Sequence, residues 1–294
     1  MAVSAPARIA TVDHGTVPGD DLGACHRFYT RLFGAELKSI VNLSVQRQRA
    51  GRAGIFFLRI AGHEFGLFLQ DDFLPPAQRY GEGPRYGWEV TAAGLVAARQ
   101  AFEQEGVAYR GPLAYPDGHP IAESIFLQDP SGTPLEICVR RQPATDRQPL
   151  AAPVPVLRLH HVALDTADLA RALDFYGEAV GFQEVHRGVS PEDGLPQATL
   201  VTRSGQILML TEVASMSERA TRRYRSDPHF ALITDLTDYP GIVDALTRRN
   251  APLLPDYVAG ERQTEEETIY VRDPDGNNVQ LVAYGRLPAS AGGR

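Results

Sequence analysis

The chain has 294 residues, of which 22% are charged and 43% are hydrophobic, as in an ordinary globular protein of two domains. Its formal net charge of −7 argues against nucleic acid or an anionic membrane as the main partner, and no apolar run is long enough to span a bilayer. Cys25 and Cys138 lack the spacing of a metal ribbon and are predicted to be buried thiols. Because the N-terminal sequence lacks a secretion-signal pattern, we expect a cytoplasmic protein.

The two halves of the chain repeat each other. His14 and His161 are separated by the same offset as Phe28 and Phe175, which begin the similar segments FYTRLFG and FYGEAVG. Self-similarity at such a spacing predicts tandem domains. The predicted boundaries are 8–140 for the N-terminal domain, 141–156 for a proline-rich linker, 157–285 for the C-terminal domain and 286–294 for a flexible tail.

The first half contains two successive strand–helix–strand units. In the first unit, DHGTV is a predicted strand, and the helix in DDLGACHRFYTRLFG places its apolar side chains on one face. Those side chains are Leu22, Cys25, Tyr29, Leu32 and Phe33. Strands GIFFLRI and FGLFLQ complete this unit, and the second unit reads YGWEVT, LVAARQAFEQEG, ESIFLQ and PLEICV in the same order.

The second half repeats this order of elements. After the strand LHHVALDT, we predict a helix in DLARALDFYGEAVG with Asp168 as its N-cap and Gly181 as its C-cap. Strands QATLVTR and QILMLTEV follow, and then HFALIT, a helix with Pro240 in its first turn, TIYVRD and NVQLVAY. Four such units predict an α+β fold with curved, mainly antiparallel sheets.

These segments resemble the vicinal oxygen chelate superfamily, which includes glyoxalase I, bleomycin-resistance proteins, fosfomycin-resistance enzymes and extradiol ring-cleaving dioxygenases. HHVALDTADLARALDFYGEAVGF is similar to its opening strand and helix, and YVRDPDGNNVQLV is similar to its closing turn and strand. The tandem arrangement is most similar to the extradiol dioxygenases. The resemblance implies two tandem glyoxalase-like domains built from four βαβββ modules, which pair into cups that hold a divalent metal.

In the second half, three residues stand where the superfamily would carry two histidines and a glutamate. Strand alternation turns His161 towards the cup, His229 holds the matching place in the next module, and Gln280 lies opposite the apolar face of the last strand. Two imidazoles and a carboxylate suit Fe(II) or Mn(II). The amide of Gln280 leaves the site one unit more positive, which favours an anionic chelating substrate over activation of oxygen.

The first half offers a different set. His14 holds the first-strand place and Glu136 the last-strand place, whereas the remaining place falls on Arg85, which cannot bind a cation. Modules that pair within each half give the set of the second half, which the resemblance to tandem extradiol enzymes puts first. The alternative is that outer modules pair with each other and inner modules with each other. The sets are then His14, His229 and Gln280 in one cup, and Glu136, His161 and Arg85 in the other.

Tyr270 precedes the DPDG turn, where extradiol enzymes carry a tyrosine that hydrogen-bonds the substrate. The resemblance therefore assigns it the orientation of a substrate oxygen. The superfamily's nearby catalytic histidine is replaced by Gln263, which cannot shuttle a proton as imidazole does. His119, at about the corresponding place in the first half, lies in a Gly/Pro loop and is expected to be exposed. The arginine-rich segment 217–228 is interpreted as solvated, or as a lid for an acidic substrate.

The leading functional hypothesis is a metal-dependent enzyme most like an extradiol dioxygenase, acting on a catechol-type aromatic or another vicinal-oxygen compound. Fe(II) or Mn(II) is the favoured cofactor, and Zn or Ni are alternatives. One competing hypothesis is a metal-free binding protein of the bleomycin-resistance type, in which Trp88, Tyr86 and Tyr270 stack on a planar ligand. Another is a glyoxalase-like lyase or isomerase, which a glutamine ligand suits. The expected partner is a small molecule, and self-association into a homo-oligomer is left open.

Overall fold

The computed structural model divides the chain into two compact units. The described residues are 7–41, 52–70, 84–142, 147–216, 229–254 and 266–284. Unit 1 contains the described residues of Met1–His14, Asp165–Val189 and Leu195–Arg294, and unit 2 contains those of Gly15–Leu164 and Ser190–Gly194. Gln263, the segment 217–228 and the predicted tail 286–294 lie outside the described residues, as does part of the predicted linker. The predicted domain boundaries stay predictions.

The described elements follow the predicted order. The strands of the first half are β1 (Thr11–Gly19), β2 (Glu36–Val41), β3 (Arg52–Ile60), β4 (His63–Gln70), β5 (Arg85–Glu89), β6 (Tyr109–Ala114), β7 (Ile121–Gln128) and β8 (Pro134–Arg140). Its helices are α1 (Leu22–Phe33) and α2 (Ala92–Glu105). The strands of the second half are β9 (Arg158–Thr166), β10 (Gln183–Val189), β11 (Pro196–Val201), β12 (Ile207–Glu212), β13 (His229–Asp235), β14 (Glu266–Arg272) and β15 (Asn278–Tyr284). Its helices are α3 (Leu169–Leu173), which continues as a π-helix (Asp174–Val180), and α4 (Tyr239–Arg248).

Each module places its last strand beside its first. In unit 2, β4 lies between β1 and β3, and β8 lies between β5 and β7, with β2 and β6 outermost. In unit 1, β12 lies between the end of β9 and β11, and β15 lies between β13 and β14. The first and last strands run parallel where β5 meets β8 and where β13 meets β15, whereas the hairpin neighbours are antiparallel. The predicted α+β fold with mainly antiparallel sheets is confirmed.

The first strands of the two outer modules meet in unit 1, and the first strands of the two inner modules meet in unit 2. In unit 1, the beginning of β1 lies beside β13, and the backbone N–H of Ala10 donates to the carbonyl of Ile233 at 2.7 Å. In unit 2, β9 pairs antiparallel with β5, which sets Gly87 opposite His161. The sequence left this pairing open. It determines which of the candidate side chains share a face of a sheet.

Helix α1 has the predicted buried face and defined ends. Asp21 accepts a hydrogen bond from the backbone N–H of Ala24 at 2.8 Å, and Gly34 ends the helix with a left-handed φ of 63°. The buried residues are those predicted from the helical spacing, namely Leu22, Cys25, Tyr29, Leu32 and Phe33. This face therefore anchors α1 on the sheet through the hydrophobic effect.

The first helix of the second half has the predicted caps but a different interior. Asp168 accepts from the backbone N–H of Arg171 at 3.0 Å, and Gly181 has a φ of 97°. Both predicted caps are thus confirmed, as is Pro240 in the first turn of α4. The stretch from Asp174 onward adopts wider π-helical turns, which the apolar spacing did not predict.

A repeated hydrogen bond explains why both halves combine an FY pair with an Asp-Pro turn. The hydroxyl of Tyr29 donates to Asp129 at 3.0 Å in unit 2, and that of Tyr176 donates to Asp273 at 2.7 Å in unit 1. Asp129 also accepts the backbone N–H of Thr133 at 2.8 Å, which closes its turn. The Asp-Pro turns are therefore structural.

Candidate metal centre

The first candidate site, called the outer site, lies in unit 1. It comprises His14 of β1, His229 of β13, Tyr270 of β14 and Gln280 of β15. Nε2 of His14 lies 3.1 Å from Nε2 of His229, and the two half-buried rings meet edge-on with centroids 5.2 Å apart. Two imidazole nitrogens this close either share a proton or converge on a third atom.

The separation of these two nitrogens fits a metal ion. Metal–imidazole bonds of about 2.0–2.1 Å place two neighbouring ligand nitrogens about 2.9–3.4 Å apart, depending on whether the angle at the metal is octahedral or tetrahedral. The observed 3.1 Å between His14 and His229 lies within this range. The distance between the two nitrogens therefore suits two neighbouring ligands of one ion.

Asp13 fixes the protonation of His14. Its carboxylate Oδ2 lies 2.8 Å from Nδ1 of the neighbouring imidazole. Because a carboxylate only accepts, Nδ1 carries a proton, and in the neutral ring the lone pair is then on Nε2, the nitrogen that lies beside His229. This carboxylate–histidine arrangement is the usual support of a metal-ligating histidine.

Gln280 and Tyr270 lie on the same face as His229. In the parallel pair of β13 and β15, Gln280 is opposite Ala231, which shares a face with His229 because it follows it by two residues. In the antiparallel pair of β14 and β15, Gln280 is opposite Tyr270. The amide nitrogen of Gln280 donates to the hydroxyl of Thr268 at 3.2 Å, so its carbonyl oxygen is the atom with ligand character. The Tyr270 ring meets His229 edge-on, with centroids 5.4 Å apart.

The second candidate site, called the inner site, lies in unit 2 and is an ion-pair network. It comprises Arg85 of β5, Glu136 of β8 and His161 of β9, and all three are buried. Nε of Arg85 and Nε2 of His161 both approach Oε2 of Glu136, at 2.9 and 3.0 Å. The hydroxyls of Ser124 and Tyr115 donate to the other oxygen, at 2.5 and 3.0 Å. Each carboxylate oxygen therefore has two neighbouring donors.

The electrostatics of this network keep Glu136 ionised. Burial by itself would raise the pKa of the Glu136 carboxyl, but the neighbouring His161 and Arg85 lower it well below its ordinary value. The pKa of Tyr115 is raised by its burial and by the charge of Glu136, so its hydroxyl remains a donor. The site is thus an internally neutralised pair rather than a pair of open ligands.

Gly87 makes the inner site possible. In the order β9–β5–β8, the His161 ring must cross β5 to reach Glu136. It passes directly over Gly87, where an added Cβ would lie 1.9 Å from the ring. A glycine at this point of β5 is therefore required by the close approach of the imidazole.

A cluster of Cys138, His160 and His161 lies beside the inner site. Its ligand atoms are within 4.8 Å of one another and all three residues are buried. Nδ1 of His160 is 3.0 Å from Nδ1 of His161, which uses the lone pair of one of them. Burial raises the pKa of the Cys138 thiol well above its ordinary value, so the thiol is protonated. A cation would have to displace that proton, and the cluster fits a metal less well than the outer site does.

The structure thus brings the predicted site residues together in two groups. His14 lies with His229, Gln280 and Tyr270, whereas Glu136 lies with His161 and Arg85, as the outer and inner pairing of modules requires. His161 and His229 belong to different groups. The sequence reasoning missed several contributors that approach from neighbouring elements, namely Asp13, Gly87, Tyr115 and Ser124.

Three further side chains differ from what the sequence suggested. Tyr86 and Trp88 are 1% and 0% exposed and pack in edge-to-face contact with Phe65, at 5.2 and 6.0 Å between centroids. They belong to the core, which removes them as stacking residues for a planar ligand. His119 was expected to be exposed, but it is buried, because its ring stacks on Tyr115 with centroids 4.2 Å apart.

Comparison with known proteins finds one family model that matches part of the chain. Residues 158–281 match the sequence model of the Glyoxalase/Bleomycin resistance protein/Dioxygenase superfamily. The matched segment covers most of the second half of the chain, and the resemblance to this superfamily predicted from the sequence is confirmed. No curated protein matches the sequence of the chain. Within the described parts of the chain, every helix is too short or too polar to cross a membrane.

Two solved structures extend the same fold to nearly the whole chain. A candidate dioxygenase from Bacillus subtilis subsp. subtilis str. 168 is 13% identical, with a TM-score of 0.68, over 95% of this chain and 87% of that one. Glyoxalase I from Zea mays is 18% identical, with a TM-score of 0.62, over 92% of each chain. At these identities the two structures show the fold alone.

Proposed function

We propose that the chain is a metal-dependent enzyme of the vicinal oxygen chelate type that holds one divalent cation at His14, His229 and Gln280. The observation that supports this most directly is the 3.1 Å separation of the two imidazole Nε2 atoms. Asp13 supports it further, since its carboxylate holds His14 in the ligating tautomer. The ligand set placed first from the sequence was His161, His229 and Gln280. The proposed set keeps His229 and Gln280, and His14 replaces His161.

The donor set determines which cation fits. Two imidazoles and an amide oxygen are all neutral, and they suit Fe(II) or Mn(II), with Zn or Ni as alternatives. A cation bound here would supply a Lewis-acidic centre with open positions for two neighbouring oxygens of a substrate. Because no ligand is negatively charged, the site keeps its full positive charge and favours a substrate that binds as an anion, as a catechol-type aromatic does.

The chain's own residues position the substrate. The buried ring of Tyr270 lies beside His229, on the same face as Gln280. From there its hydroxyl would hydrogen-bond a substrate oxygen and hold the aromatic ring against this face of the sheet. Asp13 would keep the His14 proton on Nδ1 throughout, since its carboxylate is the stronger acceptor.

The reaction we propose first is dioxygenase-type cleavage of a catechol-type compound. A second candidate is glyoxalase-like isomerase or lyase chemistry, and Gln280 is the observation that favours it. An amide oxygen donates less negative charge to the metal than a carboxylate does, so it gives less help to oxidation of the metal. Chemistry that needs only a Lewis acid is unaffected by this difference.

The experiment is elemental analysis of protein purified anaerobically, followed by substrate and oxygen assays. We expect close to one iron or manganese per chain, lost in His14→Gln and in His229→Gln. His26→Gln is the matched control, because His26 is a half-buried histidine of α1 outside both sites. No metal after reconstitution, or equal metal in all variants, would contradict the proposal and leave a metal-free binding protein. Oxygen uptake with a catechol supports the first reaction, whereas metal-dependent turnover without oxygen supports the second.

A further inference from the structure

The inner and outer sites occupy equivalent places in their modules. In β13 and β15, Gln280 is opposite Ala231, which follows His229 by two residues. In β5 and β8, Glu136 is opposite Gly87, which follows Arg85 by two residues. Arg85 therefore bears the same relation to Glu136 as His229 bears to Gln280. The inner site has an arginine where the outer site has an imidazole that fits a metal.

We propose that Arg85 takes the place of a metal ligand and of the metal's charge in the inner site. The native inner site is then a buried ion-pair network that holds no cation. Replacing Arg85 creates a second site for a divalent cation. This inference concerns residues outside the proposed catalytic site. The role of Arg85 can therefore be tested independently of the proposed function.

The contacts of Glu136 are the first argument. Arg85 and His161 approach the same carboxylate oxygen, at 2.9 and 3.0 Å, which is where a cation held by His161 and Glu136 would have to lie. The hydroxyls of Ser124 and Tyr115 donate hydrogen bonds to the other carboxylate oxygen of Glu136. A carboxylate whose two oxygens already accept four donors has no lone pair directed at a metal ion.

The charge of Arg85 is the second argument. A guanidinium stays protonated at every physiological pH, and burial does not change this here, because the neighbouring Glu136 raises the pKa of Arg85 despite the opposing effect of burial. The guanidinium is also fixed in place, since its central carbon lies 5.1 Å from the centre of the Phe126 ring. A divalent cation would meet a permanent positive charge in a buried environment, where screening by water is weak.

Removing the guanidinium leaves a suitable ligand set. Arg85→His would place an imidazole at the start of β5, facing His161 and the carboxylate of Glu136. Two imidazoles and one carboxylate are the ligands of a non-haem iron or a zinc centre. Tyr115 and Ser124 would continue to hydrogen-bond the carboxylate and hold it in orientation.

The experiment counts bound cations in a background where the outer site is disabled. His14→Gln/His229→Gln is titrated with cobalt(II), whose absorption reports its ligands, and with zinc(II). We expect no tightly bound cation in this background and close to one per chain when Arg85→His is added. Arg85→Gln is the matched control, because it removes the charge without supplying a ligand, and it should bind none. The gained cation should be lost with Glu136→Gln and retained with Cys138→Ser.

Two results would overturn the inference. One is a folded Arg85→His protein that binds no cation, or whose cation depends on Cys138 rather than on Glu136. The other needs no Arg85 variant, and thus remains decisive if Arg85→His does not fold. If Glu136→Gln, made in the otherwise natural chain and shown to be folded, removes a cation, the native inner site is already a metal centre. Metal that is absent from the natural chain but present with Arg85→His would refute the proposed function and still support this inference.

Discussion

Gly87 is the residue over which the His161 ring passes, so Gly87→Ala tests the inner site directly. A Cβ at this position would lie 1.9 Å from Cε1 of His161 and 2.2 Å from each ring nitrogen. No real contact is that short, so the ring must move away from β5. The backbone at Gly87 does not have a positive φ, so the substitution strains the ring contact and not the main chain.

The cost follows from the two hydrogen bonds that the displaced ring gives up. One joins Nε2 of His161 to the Glu136 carboxylate at 3.0 Å, and the other joins Nδ1 to His160 at 3.0 Å. A bond to a charged group contributes about 1.5–3 kcal/mol and a neutral bond about 0.5–1.5 kcal/mol. Alanine regains about 0.5–1 kcal/mol over glycine in a strand. We therefore expect the free energy of unfolding to fall by about 1–4 kcal/mol.

The assay is urea unfolding at pH 7, followed by circular dichroism. Gly54→Ala in β3 is the matched control, because a Cβ there would meet only the carbonyl of Val41, at an ordinary 3.9 Å. A second control is Gly87→Ala in a His161→Ala background, where no ring remains to displace and the loss of stability should vanish. Equal unfolding midpoints for the Gly87 and Gly54 variants would refute the geometry of the inner site.

Three further outcomes are expected. Asp13→Ala should weaken metal binding by about 10–100-fold in a chelator competition, because His14 loses the acceptor that fixes its tautomer. An unchanged affinity would exclude Asp13 as a positioning residue. Gln280→Glu should raise the affinity for the same metal by about 10-fold, on the order of 1.4 kcal/mol, because a carboxylate neutralises one charge; no change would show that Gln280 is not a ligand. Folding lowers the pKa of Glu136 from its ordinary value of 4.5. The ionised carboxylate therefore contributes its full share of the free energy of unfolding above pH 4.5, and this share is lost as the pH falls through the folded pKa. The difference in unfolding free energy between the natural chain and Glu136→Gln should therefore be constant from about pH 7 to 5 and shrink at lower pH, and a difference that grows there would contradict the assignment.

Local features of the fold could be predicted because they depend on nearby residues. The apolar spacing of α1, the caps Asp168 and Gly181, and Pro240 at the start of α4 each follow from a few positions of sequence. The π-helical turns after Asp174 could not be predicted, because residues of the same types form ordinary α-helical turns in α1.

The composition of the two sites could not be predicted, because it depends on contacts between distant modules. Whether His229 meets His14 or His161 is decided by the pairing of β1 with β13 and of β9 with β5, and the alternation within each strand fits either pairing. Asp13 illustrates the limit at short range. Neighbours in a strand normally point to opposite faces, so its contact with His14 has no signal in the pattern.

The most direct test of the proposed metal site is a crystal of the protein loaded with Mn(II) or Fe(II), with diffraction recorded at the absorption edge of that metal. We expect one anomalous peak per chain, within about 2.0–2.3 Å of Nε2 of both His14 and His229. A peak beside His161 and Glu136 would contradict the assignment of the outer site and the role given to Arg85. Fully occupied crystals with no peak at His14 and His229 would contradict the proposed function itself.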